Sequence, residues 1–544
     1  MNVISLAFCK YIFTNFISFS VFMFFLYLLI LYFLLHIKDN ILINIQKYID
    51  KFYIIIFILF VLSSIVYIFF PSFSVPFEET FIEGARNLSK NIPLYPTKGE
   101  YYPYNTTLYG PIISLILLLF IKLPIETYIS AKIPSFIVFI LFVFLIICSL
   151  NSQQKNIQNK LFIKFPFYYL LYLLIISTWL YCVKAEPYFI FLVSLTIFII
   201  NRYKNSGIVF LLLGVLSALS SLLKLHGAMY IIIAFFCASD NYTIKIKNIL
   251  LYIVGFIICI FLPFTNQSIS LFSYIDLLIF FSSHTIELML FIKAFLTLIV
   301  ILMPIFIVSI YLFIIHANID KKVKINLFII ICLELLITIP CAKSGSLINH
   351  LMPLIPVNAF IFGKLLIYIP NLFFQEIKIK LCHSIIQSLY LVLSFICIIN
   401  VILIYFAFIS YWPDSDQSVK EIKFLNNKYS NAMMGITEPK LLYLYYNRIY
   451  LGASQLDYLG YADLKLAGYS DFELDEKIKN CSINYFIFPK SGVPFMFLDD
   501  YSMIKKTLIS TNTIKSFQKN FILIDKTDHY SVFECRKMDS LKTS

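Results

Sequence analysis

The sequence predicts a mainly α-helical, polytopic membrane bundle followed by a small α/β domain. Three observations carry that prediction. Of the 544 residues, 60% are hydrophobic and only 13% are charged, against roughly 25% charged in soluble domains. The mean hydropathy is +0.85, a value that suits a bilayer and not water. The apolar residues are gathered into successive long runs up to Trp412, and the composition beyond it is mixed.

In chain order the apolar runs fall at 12–36, 52–70, 110–123, 130–150, 165–183, 187–201, 207–222, 227–238, 250–264, 288–315, 326–341, 348–368 and 383–411. The first is too long for the apolar core of a signal peptide and no small-residue cleavage site follows it, so it is expected to stay as a helix. Alternate connections carry the cations: Lys38, Lys47 and Lys51; Lys155, Lys160 and Lys164; Arg202 and Lys204; Lys245 and Lys247; Lys321, Lys322 and Lys324; Lys378 and Lys380. The net charge of +13 is therefore the positive-inside pattern, and these connections are expected in the cytoplasm. The others, 71–109, the turns at Glu186 and at Lys224–His226, 265–287 and 342–349, are then external.

The alternation fails once, between 71–109 and 151–164, where two apolar runs occupy a space that needs an odd number of crossings. The run from Pro111 to Leu123 is short and ends at Pro124. It is expected not to cross but to form a juxtamembrane or re-entrant helix. About 12 crossings remain, with both termini outside.

Two domains follow: residues 1–411 in the membrane, with 71–109 as the first external loop, and an extracytoplasmic α/β domain over 412–544. Tyr485–Pro489 and Phe521–Ile524 are apolar stretches between polar turns and predict strands. Cys481 and Cys535 lie in that domain, where a disulfide is chemically permitted. Spacing alone leaves a bridge and two buried thiols both open. Cys148, Cys237, Cys259, Cys332 and Cys397 stand singly in apolar runs and read as small core residues. No CxxC is present, which argues against a structural zinc site. No basic stripe with interleaved aromatics is present, which argues against nucleic acid. No phosphate-cradling glycine loop is present, so no nucleotide is expected.

The residues able to carry chemistry sit on the external side. Glu78 and Glu79 adjoin a restarting helix, with Glu83, Arg86 and then Tyr101-Tyr102-Pro103-Tyr104 following. Their ordinary reading is dipole-favoured acids in a first helical turn and an i,i+3 pair of Glu83 with Arg86. Glu186 alone would mark a membrane interface, Lys224 could snorkel there, His226 and His350 could be locally satisfied, and Pro353 and Pro356 could only kink a helix. Taken together, two acidic positions, a lysine and two histidines on one membrane face form the set an embedded active site needs, because charge at membrane depth is costly. Glu334, inside an apolar run, reads as structurally paired or unexplained.

The ordered set Glu78-Glu79, Ala85-Arg86-Asn87-Leu88, Leu94-Tyr95 and 101–111 resembles the first luminal or periplasmic loop of the GT-C superfamily of membrane glycosyltransferases. The nearest members are the family 39 and dolichyl-phosphate-mannose protein mannosyltransferases and the bacterial aminoarabinose transferases. Glu78 stands where that family has Asp. Glu186-Pro187 is similar to its second acidic motif, Lys224-Leu225-His226-Gly227 to its Lys-x-x-Gly turn, and His350-Leu351-Met352-Pro353-Leu354-Ile355-Pro356 to its proline-rich motif.

The resemblance implies a hexosyl or pentosyl transferase. It would take a sugar from a polyprenyl-phosphate donor and pass it, with inversion, to a protein, lipid or glycan acceptor at the extracytoplasmic face of a bacterial inner (plasma) membrane. Glu78 would be the general base, with Glu79 beside it. Arg86, Tyr104, Glu186, Lys224, His226 and His350 would bind substrate, the cations offsetting the leaving phosphate. A divalent cation is left open, with Glu78 and Glu186 as the carboxylates placed to hold it. Two other classes compete. A lipid-linked saccharide transporter or flippase would show repeats and midplane sites, and a non-catalytic scaffold would tolerate alanine at Glu78, Glu186 and Lys224.

Overall fold

A computed structural model describes residues 39–70, 78–95, 109–125, 127–154, 164–176, 182–203, 206–239, 245–282, 286–314, 318–343, 348–368, 402, 409, 412–414, 416–425, 427–429, 433–435, 455–456, 472–490 and 511–536. The expected first apolar run and most of the last, 383–411, lie outside the described residues, as does the connection with Lys378 and Lys380.

The helices are α1 (Asp39–Phe69), α2 (Glu78–Ser89), α3 (Ile112–Phe120), α4 (Thr127–Gln154), α5 (Phe165–Ile176), α6 (Ala185–Arg202), α7 (Gly207–Leu223), α8 (Gly227–Ala238), α9 (Ile246–Phe261), α10 (Leu271–Ser282), α11 (Leu288–Ile314), α12 (Lys321–Cys341) and α13 (Ile355–Ile367). Among the described residues six helices are long and apolar enough to cross a membrane, and four shorter apolar ones accompany them. Helices are what an apolar run forms in lipid, since each pairs its own backbone groups. The chain is a polytopic integral membrane protein.

Burial sorts the bundle. The spans in α6 and at 349–367 are 72% and 83% buried, whereas the α9 span is 22% buried. On α9, Ile246, Ile249, Leu250, Ile253, Ile257 and Phe261 are exposed, a broad helical stripe that faces lipid. Its other face sits on α7 at backbone contact. A Cβ on Gly214 would lie 2.0 Å from the Tyr252 carbonyl oxygen, and one on Gly255 2.3 Å from that of Leu211. Only hydrogen fits there, the small-residue packing that membrane helices use.

α3 has nine residues, about 14 Å of helix, far short of the ~30 Å apolar layer. It does not cross, in agreement with the charge alternation. The segment 265–287, expected as a plain connection, differs. It holds a 3-10 turn, Leu262–Thr265, and then α10 with 12 residues. α10 packs Tyr274 beside Leu94 and Tyr95, which follow α2.

The C-terminal region forms a five-stranded sheet of order β2-β1-β3-β5-β4. The strands are β1 (Met433–Gly435), β2 (Gln455–Leu456), β3 (Tyr485–Pro489), β4 (Phe521–Lys526) and β5 (Tyr530–Cys535), with helices α14 (Phe472–Lys479) and α15 (Thr511–Asn520). β1 is parallel to β2 and β3, and β5 is antiparallel to β3 and β4. Both predicted strands are found. Phe486, Phe488, Phe517 and Phe521 fill the space between sheet and helices, and Cys481 is bonded to Cys535 at its edge.

Candidate active site

The site is built at one end of the bundle, where three chain reversals meet. α7 stops at Leu223 because Lys224 takes an extended conformation, and the reversal closes with Gly227 N–H on the Lys224 carbonyl at 2.8 Å. A Cβ on Gly227 would lie 2.0 Å from the Ser220 carbonyl oxygen. The Lys-x-x-Gly spacing is thus a geometric requirement, with glycine where one helix end passes over another. α6 begins beside this turn. Glu186 and Pro187 are in its first turn, where a missing N–H costs no helical hydrogen bond. The third reversal is the 3-10 segment Ile348–Leu354, which carries His350 into α13.

Lys224 Nζ donates to Glu186 Oε1 at 2.7 Å, with side chains 12% and 2% exposed. The second oxygen, Glu186 Oε2, is buried with no hydrogen-bond partner among the described residues. Lys184, at the N-cap of α6, is buried beside this carboxylate and adds positive charge to its surroundings. His226 Nε2 and His350 Nδ1 are 2.8 Å apart. One of these nitrogens must donate and the other accept. Tyr230 holds the backbone of the second histidine, its hydroxyl donating to the His350 carbonyl at 2.7 Å.

Tyr109 and Gly110, just before α3, close the group. Lys224 Nζ stands 4.9 Å from the centre of the Tyr109 ring, a cation–π distance. The Tyr109 ring in turn meets Phe81 of α2 at 4.8 Å. The Tyr109 carbonyl accepts from the Tyr95 hydroxyl at 3.0 Å, and Gly110 N–H donates to the Leu223 carbonyl at 3.3 Å. A Cβ on Gly110 would fall 1.6 Å from the Leu222 carbonyl oxygen. Tyr109 and Gly110 belong to the 101–111 stretch that carries the resemblance, but neither was expected as a site residue. Their signal was the Tyr-Gly-Pro step that ends the tyrosine-rich stretch.

Of the expected site residues, the structure therefore brings together Glu186, Lys224, His226 and His350. Arg86 is buried on α2, one helix away. Glu78 and Glu79 form the first turn of α2, and residue 78 precedes Phe81 by one turn, but their side chains lie outside the description, as does all of Tyr104. Among the described residues no three His, Cys, Asp or Glu converge as a metal would need. Glu334 is fully buried in α12, with the buried Asn358 of α13 as its polar neighbour.

No family model matches the sequence, and no curated protein matches it. Among solved structures the chain is similar to ArnT from Cupriavidus metallidurans, solved bound to undecaprenyl phosphate. The TM-score is 0.54 at 10% identity, over 90% of this chain and 98% of that one. At that identity the likeness is one of fold.

Proposed function

We propose that this protein transfers a sugar from a polyprenyl-phosphate donor to an acceptor, and that Glu186, Lys224, His226 and His350 receive the donor phosphate. The observation that carries the reading is the buried Glu186–Lys224 ion pair with one carboxylate oxygen unpartnered. A buried pair of this kind is a poor device for stability and a good one for exchange. The similarity in fold to an ArnT solved with undecaprenyl phosphate supports the same reading.

The chemistry follows from what each group holds. An arriving phosphate competes with Glu186 for the Lys224 ammonium, and the His226–His350 pair offers a ring N–H to a phosphoryl oxygen. The acceptor O–H or N–H attacks the anomeric carbon while the bond from that carbon to the phosphate oxygen breaks. The electron pair leaves with the polyprenyl phosphate, whose charge Lys224 offsets. The acceptor proton goes to a carboxylate, assigned to Glu78 by resemblance. A single displacement of this kind inverts the sugar carbon. The site faces the extracytoplasmic side, where the lysine-poor connections lie.

The test is a split between binding and turnover. Glu186→Gln removes the carboxylate that competes for Lys224, so undecaprenyl phosphate should bind more tightly while transfer falls. Lys224→Met should weaken that binding at least tenfold. Unchanged undecaprenyl phosphate affinity in both variants would remove the proposal. Glu78→Gln, measured alongside, should lower transfer by about 10²-fold or more with binding intact.

A further inference from the structure

Glu334 is the only acidic residue in α12, and the chemistry above does not use it. It belongs to a buried stripe, Ile330, Glu334, Ile337, Thr338 and Cys341, that recurs with the helical repeat. Cys341, two turns further along the same face, ends α12 near Lys224 and Tyr230. Glu334 therefore stands about 10 Å below the donor site, inside the membrane span. Its polar neighbour is Asn358, also fully buried, one turn into α13. That helix follows directly on the 3-10 segment that carries His350. Among the described residues neither side chain has a hydrogen-bond partner outside this pair, and no cation faces the carboxyl group. Tyr169 of α5 stands near Glu334, but its hydroxyl donates to the Ile301 carbonyl of α11. The two ends that meet at the site hold themselves weakly. In the last turn of α12, Pro340 offers no N–H to the Leu336 carbonyl, and Pro353 removes another donor from the 3-10 segment.

We propose that Glu334 is a positioning residue: a neutral carboxylic acid whose O–H donates to Asn358 Oδ1 and locks α12 to α13, so that the Cys341 end and His350 keep one spacing around Lys224. An ionised carboxylate at this depth, facing an amide and no cation, is costly. An acid O–H and an amide oxygen satisfy each other. Hydrogen bonds of this kind between neighbouring helices fix their packing in lipid. The inference deepens the proposed function and rests on it for the donor phosphate. The protonation of Glu334 and its hold on Asn358 stand without it.

The test combines infrared spectra, Tm and undecaprenyl phosphate affinity, all measured on the full chain. At neutral pH the wild type should show a carboxylic acid C=O band that is missing in Glu334→Gln. Glu334→Gln should otherwise keep the wild-type Tm and affinity, because its amide N–H replaces the acid O–H. Glu334→Leu leaves Asn358 unsatisfied and should lower Tm, with the affinity down about tenfold. Glu334→Leu/Asn358→Leu leaves no polar group to satisfy, so it should recover the Tm and not the affinity. A missing band, a Glu334→Gln variant that behaves like Glu334→Leu, or a double variant that recovers affinity together with Tm would each overturn the proposal. Wild-type protein that does not bind undecaprenyl phosphate would instead fail the proposed function, and the band and the Tm series would still decide whether Glu334 fastens α12 to α13.

Discussion

Two lysines are buried at the same end of the bundle and do opposite things. Lys132, fully buried in the second turn of α4, donates to the carbonyls of Tyr67 at 3.1 Å and Phe70 at 2.8 Å and lies 4.2 Å from the centre of the Tyr67 ring. It ties down the last carbonyls of α1, where the i→i−4 ladder runs out and Tyr67 is otherwise met only by the closing-turn N–H of Phe70. Its acceptors are neutral backbone atoms that cannot move away. Lys224 is held by a carboxylate and an aromatic face, and both can be replaced by a phosphate. The difference separates a structural cation from an exchangeable one, and it lies in the partner, not in the lysine.

The largest effect expected at this end comes from the backbone that presents Tyr109. In Gly110→Ala the new methyl group meets the Leu222 carbonyl oxygen, which belongs to the end of α7 and cannot turn aside. Undecaprenyl phosphate binding should vanish and Tm should fall. Gly84→Ala is the matched control. Its new methyl group meets the Ser114 Oγ and Leu94 Cδ1 side-chain atoms at 2.4 and 2.9 Å, which have room to shift, so it should cost clearly less. Equal losses in the two would mean that the Gly110–Leu222 approach does not position the site.

Next comes the lysine pair itself. Lys132→Met removes a charge-assisted hydrogen bond from each of two carbonyls, that of Tyr67 keeping the Phe70 N–H, a loss of about 1–3 kcal/mol in all. It should lower Tm while the folded fraction still binds undecaprenyl phosphate. Glu186→Met/Lys224→Met removes both charges together and leaves no buried polar group, and such paired apolar replacements are close to neutral in stability. That double variant should keep its Tm and lose the lipid phosphate. Should both variants lose stability and keep binding, the division between the two lysines is wrong.

Sequence reasoning separated these cases only in part. The fold class was legible because lipid imposes one solution on long apolar runs, and the charge alternation placed Glu186, Lys224, His226 and His350 on one face before any coordinates. Pro111–Leu123 was legible as a non-crossing segment through its length. α10 was not, because Asp276 and flanking serines dilute its apolar character and its packing on Leu94 and Tyr95 is long-range. Lys132 was not legible either, since a lysine one turn inside a span reads the same whether it meets a carbonyl or a ligand. Gly110 shows the same gap: its meaning depends on Leu222, over a hundred residues away.

The smallest effect expected lies in the C-terminal region, where the polar contacts are partly solvated and not buried. His529, in the β4–β5 turn, places Nδ1 3.0 Å from Glu421 Oε1 and Nε2 2.9 Å from Asp414 Oδ1. Its backbone N–H donates to Glu421 Oε2 at 2.9 Å. Gln417 bridges Glu421 to Asp528, so every charged neighbour of the imidazole in these contacts is acidic. Partial burial works against the imidazolium, but the bonds to Asp414 and Glu421 outweigh it and raise His529 above its ordinary value. Burial likewise opposes ionisation of Glu421, and the hydrogen bonds from Thr527 and His529 outweigh it and lower that group. A raised histidine contributes fully below its unfolded value, about 6.5, and loses that contribution as pH rises through the raised one. A lowered glutamate contributes fully above its unfolded value, about 4.3, and loses it as pH falls through the lowered one. The docking of 412–429 on the hairpin should therefore be firmest between about pH 4.3 and 6.5. Hydrogen exchange in 412–429, corrected for the intrinsic rate, should show protection declining from pH 6 to 8.5, and His529→Gln should flatten that decline. Protection that declines equally in the variant would assign the pH response to other groups. Screening by water keeps this effect below those at the Lys132 and Lys224 sites, as expected for a contact that fastens a domain without building the bundle.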